Sequence, residues 1–522
     1  MTGWRPGRDR RAVRHPGAPG ALRPGGPQPT AAVVGGGIAG LAAATALAER
    51  GVAVTLLERE PQLGGRVRAW PVAPAAGTGP DAAPRTMSRG FHAFFRQYYN
   101  LRALLRRADP ALDRLTPVAD YPLVLAGGHR DSFASIPRTP PLNLIAFVAQ
   151  SPSFTARDLT RIDASAALDL LDVDFPGTFS AWDGESAADF LDRLCFPAGA
   201  RHLALEVFAR SFFARPEEFS AGELVAMFHT YFLGSAEGLL FDVPDDDYDT
   251  ALWAPLGRYL GGLDVEVRTG VEVAALDGGD PTGITLALGS GAELTADAVV
   301  LAADPATTRR LAVEANGLNG DGHLEGWRER VAATGNAPPF AVWRLWLEQP
   351  VAADRPAFLG TSGYGPLDNI TVLERFEAGA ARWVGTAGGS VVELHAYALP
   401  EPVAAGELRA RLRAELSRLY PETAGVGVRA EEWLVQADCP LVGTAPWRLR
   451  PEVRTPDERL VLAGDGVRCD YPVALMERAA TTGLQAANAL LGRRGLAGYD
   501  LWTVPLRGRH RGIARTKALL AR

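Results

Sequence analysis

The chain has 522 residues, 47% hydrophobic and 22% charged, which is length and apolar content for two or three domains with a large core. Its net charge of −6, from 54 Lys and Arg against 60 Asp and Glu, argues against nucleic acid as a general partner. Three cysteines without C-x-x-C spacing, Cys195, Cys439 and Cys469, argue against a disulfide framework or cysteine metal site and fit a reducing, cytoplasmic setting.

Residues 1–29 are rich in Arg, Pro and Gly without apolar periodicity, the pattern of a disordered basic extension. Arg10-Arg11 lacks the apolar stretch that follows a twin-arginine signal. Order begins at Thr30. Ala31 to Val34 read as a buried parallel strand, and Gly35, Gly37 and Gly40 follow at G-x-G-x-x-G spacing. Leu41–Arg50 is helix-forming, Gly51 stops the helix, and a second apolar strand, Val52 to Leu57, ends at Glu58. The first glycine allows a tight turn, the second lets a pyrophosphate approach the backbone, and the third lets helix and strand pack closely. Phosphates then face the positive helix end, and Glu58 is placed for ribose hydroxyls. Ile38, Ala39 and Arg59 flank these positions and join the candidate cofactor set. Gly64, Gly65 and Arg66, just beyond the acid, form the glycine-pair-and-arginine pattern of FAD proteins rather than NAD-only dehydrogenases; Arg66 is expected to fork onto the pyrophosphate.

A Pro/Ala/Gly-rich loop, Pro71 to Pro84, leads to SRGFHAFFRQYYNLRALLRR, Ser88 to Arg107, read as an amphipathic helix from Phe94 onward. Ile136 to Gln150 and Glu223 to Phe241 are apolar stretches suited to buried helices, the wall of an apolar tunnel, or contact with a membrane surface. Asp245 to Asp249 lacks EF-hand spacing and reads as a solvated turn. Short strands over Leu263–Arg268, Val271–Leu276, Ile284–Leu288 and Ala298–Ala302 return the chain to the nucleotide domain, with Val273 offering a backbone edge to adenine. Ala341–Leu347 and Val391–Ala398 alternate like strands of a half-covered antiparallel sheet, and Glu407–Leu419 has helical spacing. Near the end, an apolar strand runs into Gly464-Asp465-Gly466, suited to the ribityl chain of FAD. The helix after it, beginning at Met476, aims its positive end at the flavin.

The fold class is therefore α/β: a Rossmann-type FAD-binding domain with a discontinuous α+β substrate domain. The nucleotide domain is assigned to 30–114, 255–310 and 455–491, the substrate domain to 115–254 and 311–454, and 492–522 to a basic tail suited to solvent or anionic lipid.

Together, GGGIAGLAAA, LGGRVRAW, SRGFHAFFRQYYNLR, PEEFSAGELVAMFHTYF and LAGDGVRCDYPVALMERAATTGLQAAN resemble the FAD-dependent carotene desaturases of the amine-oxidase-like superfamily. Within it, the RGFHAFFRQYYNLR segment is most similar to the bacterial carotenoid ring desaturase/methyltransferases, the isorenieratene synthases. The resemblance implies FAD as cofactor, β-carotene, a C40 carotenoid, as substrate, and desaturation of its β-ionone rings with a methyl shift to aromatic end groups. It places Gly90 and His92 beside the flavin, with His92 as a proton acceptor and Asp470 and Glu477 as rival bases. Phe91, Phe94, Phe95 and Tyr98 are candidates to stabilise a transient cation through their ring faces. The FAD motifs fit equally a sibling desaturase, ketolase or isomerase, or a carotenoid carrier that keeps FAD structurally.

Overall fold

A run such as Thr30–Val34, apolar at almost every position, can be covered on both faces only inside a sheet flanked by helices. The computed structural model, which describes residues 9–73, 84–155, 157, 160–204 and 210–509, shows that arrangement. Five parallel strands lie in the order Glu266–Thr269, Ala53–Glu58, Thr30–Val34, Ala298–Leu301, Leu460–Leu462. Val33 thus sits between Leu56 and Val300. The helix Ile38–Glu49 is alanine-rich and buried nearly all round, because it lies between the sheet and the helix Leu475–Arg493. A Cβ at Gly483 would fall 2.3 Å from the Ala39 carbonyl oxygen, so only glycine lets the two helices approach this closely. An antiparallel flank, Val273–Asp277, Ile284–Leu288 and Glu293–Ala296, precedes the return to the sheet.

The second body is built on a seven-stranded sheet in the order Val428–Gln436, Phe340–Leu347, Ser390–Ala396, Asn369–Val372, Phe358–Ser362, Leu123–Leu125, His129–Asp131. The expected half-covered sheet is not what forms: Phe340–Leu347 and Ser390–Ala396 are buried at every position. Ala341, Trp343, Leu345 and Leu347 pack under Leu408, Leu412 and Leu416 of the helix Ala405–Leu419. The alternate positions face the other way, where Val342 joins a cluster with Met87 and Phe340 and Trp346 one with Trp383. Alternation here separates two buried environments rather than core from water.

Two further expectations change. Residues 9–29 are not disordered: Val13–His15 pairs antiparallel with Leu501–Thr503, Arg14 meets Asp500 at 2.6 Å, and Tyr99 donates to Asp9. The same contacts order 500–503, within the stretch assigned to a basic tail. Residues 1–8 and 510–522 lie outside the described residues. Second, no helix begins at Phe94. Phe94–Phe95 is a short strand on Phe241–Asp242, and the helix spans Tyr99–Leu105. The buried-helix reading of Glu223–Phe241 holds for its first part: the helix Ala221–Phe228 continues as a buried wide turn, His229–Leu233. Glu223 inside it is neutralised by Arg450 and Arg478. The helix Leu142–Gln150 differs, with Leu142 and Ile145 56% and 60% exposed.

Candidate active site

One cavity of about 380 Å³ runs from the carboxyl ends of the parallel strands into the space beneath the seven-stranded sheet. Its first half is the glycine cradle. Gly35 turns with φ +107°, and its N–H donates to Leu57 O. Gly40 does not line the cavity; a Cβ there would lie 1.9 Å from Gly35 O, which explains the third glycine as packing. Gly37 caps the Ile38–Glu49 helix with no side-chain partner, and Ile38 and Ala39 border the cavity with it. A Cβ at Gly37 would meet nothing nearer than Gly65 Cα at 3.7 Å, and one at Gly464 would meet nothing within 4 Å. Both backbones therefore front open space beside an uncapped helix N-terminus, the fit a diphosphate needs. Gly64 N–H donates to Gly36 O, locking the second glycine loop against the first.

Glu58 is buried at this end and accepts from Gly36 N–H at 2.7 Å and Glu60 N–H at 2.8 Å, while burial pushes its carboxyl above the usual range. Arg59 lines the cavity but spends its charge on Asp304, which caps the helix Pro305–Glu314. Val273 lies on the wall, its carbonyl receiving Arg310. Arg66, expected on the pyrophosphate, lines the cavity and forks onto Asp465, which lines it too. Met476 lines the flavin end at the N-terminus of Leu475–Arg493, where no side chain caps the helix.

The rival bases are removed by placement. Glu477 points away from the cavity and accepts from Asn100 and Leu101 N–H at 2.8 and 2.9 Å, capping the Tyr99–Leu105 helix. Asp470 has a 58% exposed side chain and does not border the cavity. Gly90 is also not on the wall; φ is +102°, and a Cβ would strike His395 Cε1 at 2.5 Å. His92 does line the cavity. Its Nδ1 donates to Gly90 O at 2.8 Å, so Nε2 carries the lone pair, and burial lowers its pKa to about 4. Tyr248 holds this turn, accepting from His92 N–H and donating to Gly90 O.

The second half of the cavity is aromatic. Phe91, Phe95, Tyr98, Tyr121, Phe241 and Phe358 line it, with Phe91 on Phe358 at 4.5 Å and Phe95 edge-on to Phe241 at 5.2 Å. Phe94, expected among them, is fully buried elsewhere, because neighbouring residues of a strand point to opposite faces. Sequence reasoning missed Arg89, paired with Asp438, and a polar group at the inner end: Tyr397, Asn369 and Asp368, the last paired with Arg210. The buried network behind Tyr397 did leave a signal, charge inside otherwise apolar strands: Arg344 in AVWRLWL and Glu393 with His395 in VVELHA.

Comparison with known proteins agrees with this geometry. Residues 38–491 match the family model for flavin containing amine oxidoreductases. The chain belongs to that family. As a member of it the chain is an FAD-dependent enzyme. It is 54% identical to a carotenoid phi-ring synthase of Streptomyces griseus, over 99% of this chain and 98% of that one. A carotenoid phi-ring synthase of Chlorobaculum tepidum is 29% identical over 92% and 91%. Cyclohexylamine oxidase of Brevibacterium oxydans shares the fold, with a TM-score of 0.61 at 14% identity, covering 90% of this chain and 99% of that one.

Proposed function

We propose that this chain oxidises the β-ionone rings of β-carotene to aromatic end groups of the isorenieratene type, one methyl group moving from the gem-dimethyl carbon to its neighbour. The observation that carries the reading is a dinucleotide cradle continuing into an aromatic-walled cavity, in a chain 54% identical to a carotenoid phi-ring synthase. FAD, when bound, supplies a two-electron acceptor. Gly37, Ile38, Ala39, Gly464 and Met476 would hold it, with Glu58 at the ribose.

The remaining work falls to the chain. Aromatic and aliphatic walls favour a hydrocarbon over water and fix the ring. The faces of Phe91, Phe95 and Tyr98 are electron-rich toward positive charge developing on that ring. Neutral His92 presents Nε2 without adding a competing cation. The migrating methyl stays within the substrate, so no methyl donor is required. Each ring gives up two hydride–proton pairs.

Expression in a β-carotene-producing host tests the proposal: pigment of lower mass with an aromatic end-group spectrum is expected. Unchanged β-carotene beside FAD-loaded protein would overturn it, and pigment bound without flavin reduction would mark a carrier instead. The substrate also supports placing the enzyme peripherally on the cytoplasmic membrane face, through exposed Leu142 and Ile145. Flotation with anionic vesicles should be lost in the Leu142→Asp/Ile145→Asp double variant.

A further inference from the structure

Beneath the aromatic chamber, a chain of fully buried polar groups leads to one cavity-facing hydroxyl. Arg344 donates from Nε and Nη2 to Glu393 Oε2 at 2.9 and 2.7 Å, leaving Oε1 for His395 Nε2 at 2.8 Å. Thr86 O and Ser88 Oγ accept two more of the Arg344 donors. His395 Nδ1 lies 2.6 Å from Tyr397 Oη, and Tyr397 is on the cavity wall. Arg344, Glu393 and His395 are each at most 2% exposed, and Gly90 is glycine because the His395 ring occupies its Cβ position.

The proton positions follow from the partners. Against burial, which opposes ionisation, Arg344 and His395 hold Glu393 down to about 2, so it accepts only. His395 therefore carries its proton on Nε2, and Nδ1 accepts from the Tyr397 hydroxyl. Asn369 Nδ2 donates to the same oxygen at 3.0 Å. A phenol oxygen has one proton and two lone pairs; with one pair used by Asn369, one remains toward the chamber. Tyr397 stands at the inner end of the cavity, edge-on to Phe213 at 4.9 Å and packed with the cluster containing Phe340 and Cys439.

The geometry points to Tyr397 as the acid–base residue of ring aromatisation, relaying the ring proton to His395, which Glu393 orients. This rests on the ring-oxidation reading above. As a ring C–H bond breaks, its electron pair stays in the ring as a new C=C bond and its proton bonds to Tyr397 Oη. The phenol's own proton passes to His395 Nδ1, and the imidazolium formed is balanced by Glu393. After product leaves, the proton returns through Tyr397. His92, held at the chamber wall with its pKa lowered by burial to about 4, is a poor proton acceptor at neutral pH.

Two variants test this in FAD-loaded enzyme given β-carotene, with pigment binding followed by absorbance: flavin reduction is read anaerobically in a single turnover, and aromatic product with a quinone added as two-electron acceptor, because each ring needs two oxidations and one flavin takes one. Tyr397→Phe keeps the ring packing, and His395→Gln keeps a hydrogen-bond partner for Tyr397 but cannot take up a proton. Both should bind pigment as the natural chain does and reduce flavin within about threefold of its first-turnover rate. Aromatic product should fall about 100-fold, with a partly oxidised carotenoid accumulating. Product within threefold of the natural chain in both variants would overturn the relay, as would flavin reduction and product falling in parallel, which marks mere positioning. Failure of the natural chain itself to reduce flavin would instead remove the ring-oxidation reading.

Discussion

The two halves of the cavity are built by opposite means. The nucleotide half is made of backbone: Gly35, Gly37, Gly64 and Gly464 supply absence of side chains, and two helix N-termini supply polarity. The inner half is made of side chains, aromatic rings over a buried ionic network that no single segment contains. A backbone site tolerates no added atoms, while a side-chain site tolerates exchange at graded cost. That contrast explains how one cofactor fold serves amine oxidases and this chamber alike.

The contrast can be broken in four ways. The largest effect is expected from Gly37→Leu: the new side chain occupies open cavity rather than core, so the fold persists while FAD is lost on gel filtration, binding weakening more than 100-fold, roughly the loss of one phosphate cradle. Arg344→Leu strands Glu393 inside the protein and should cost about 3–5 kcal/mol in chemical unfolding, FAD notwithstanding. Phe94→Leu and Phe95→Leu form a matched pair one residue apart. Phe95→Leu should lower turnover about tenfold at nearly full stability, and Phe94→Leu should lower stability by about 1–2 kcal/mol. Equal effects on turnover would erase the distinction between chamber wall and core.

The smallest effect is a pH slope. Burial raises Glu477 to about 8 in the folded chain, against an ordinary value of 4.5. Between those values the folded chain keeps a proton that the unfolded chain has released. This contribution to stability is full below pH 4.5 and is lost as pH rises through 8. Urea midpoints should therefore decline from pH 5 to 8, and Glu477→Gln should flatten the decline while lowering the plateau.

How much of this was legible in the sequence follows the same division. The glycine cradle is local: strand, turn, helix and acid sit within one βαβ unit, so spacing alone carried Gly35, Gly37 and Glu58 to their places. The inner half is assembled across long separations. Gly90 reads as a flavin neighbour until His395 is seen occupying its Cβ position, and alternation in Phe340–Leu347 cannot tell a second buried face from a solvated one. Arg66 and Asp465 were each assigned to the cofactor; neither sequence context shows that they meet. Residues 9–29 fail for the same reason, since the strand that orders Val13–His15 is Leu501–Thr503.

That last pairing bears on the order of synthesis. The edge strand Leu460–Leu462, the flavin-facing helix Leu475–Arg493 and the strand that receives the amino-terminal segment are all made last. No ribosome-bound chain short of these residues has a complete cradle. The cradle therefore closes only once Leu460–Arg493 has been made, and the amino-terminal segment must wait for a partner strand that follows every other element of the nucleotide sheet.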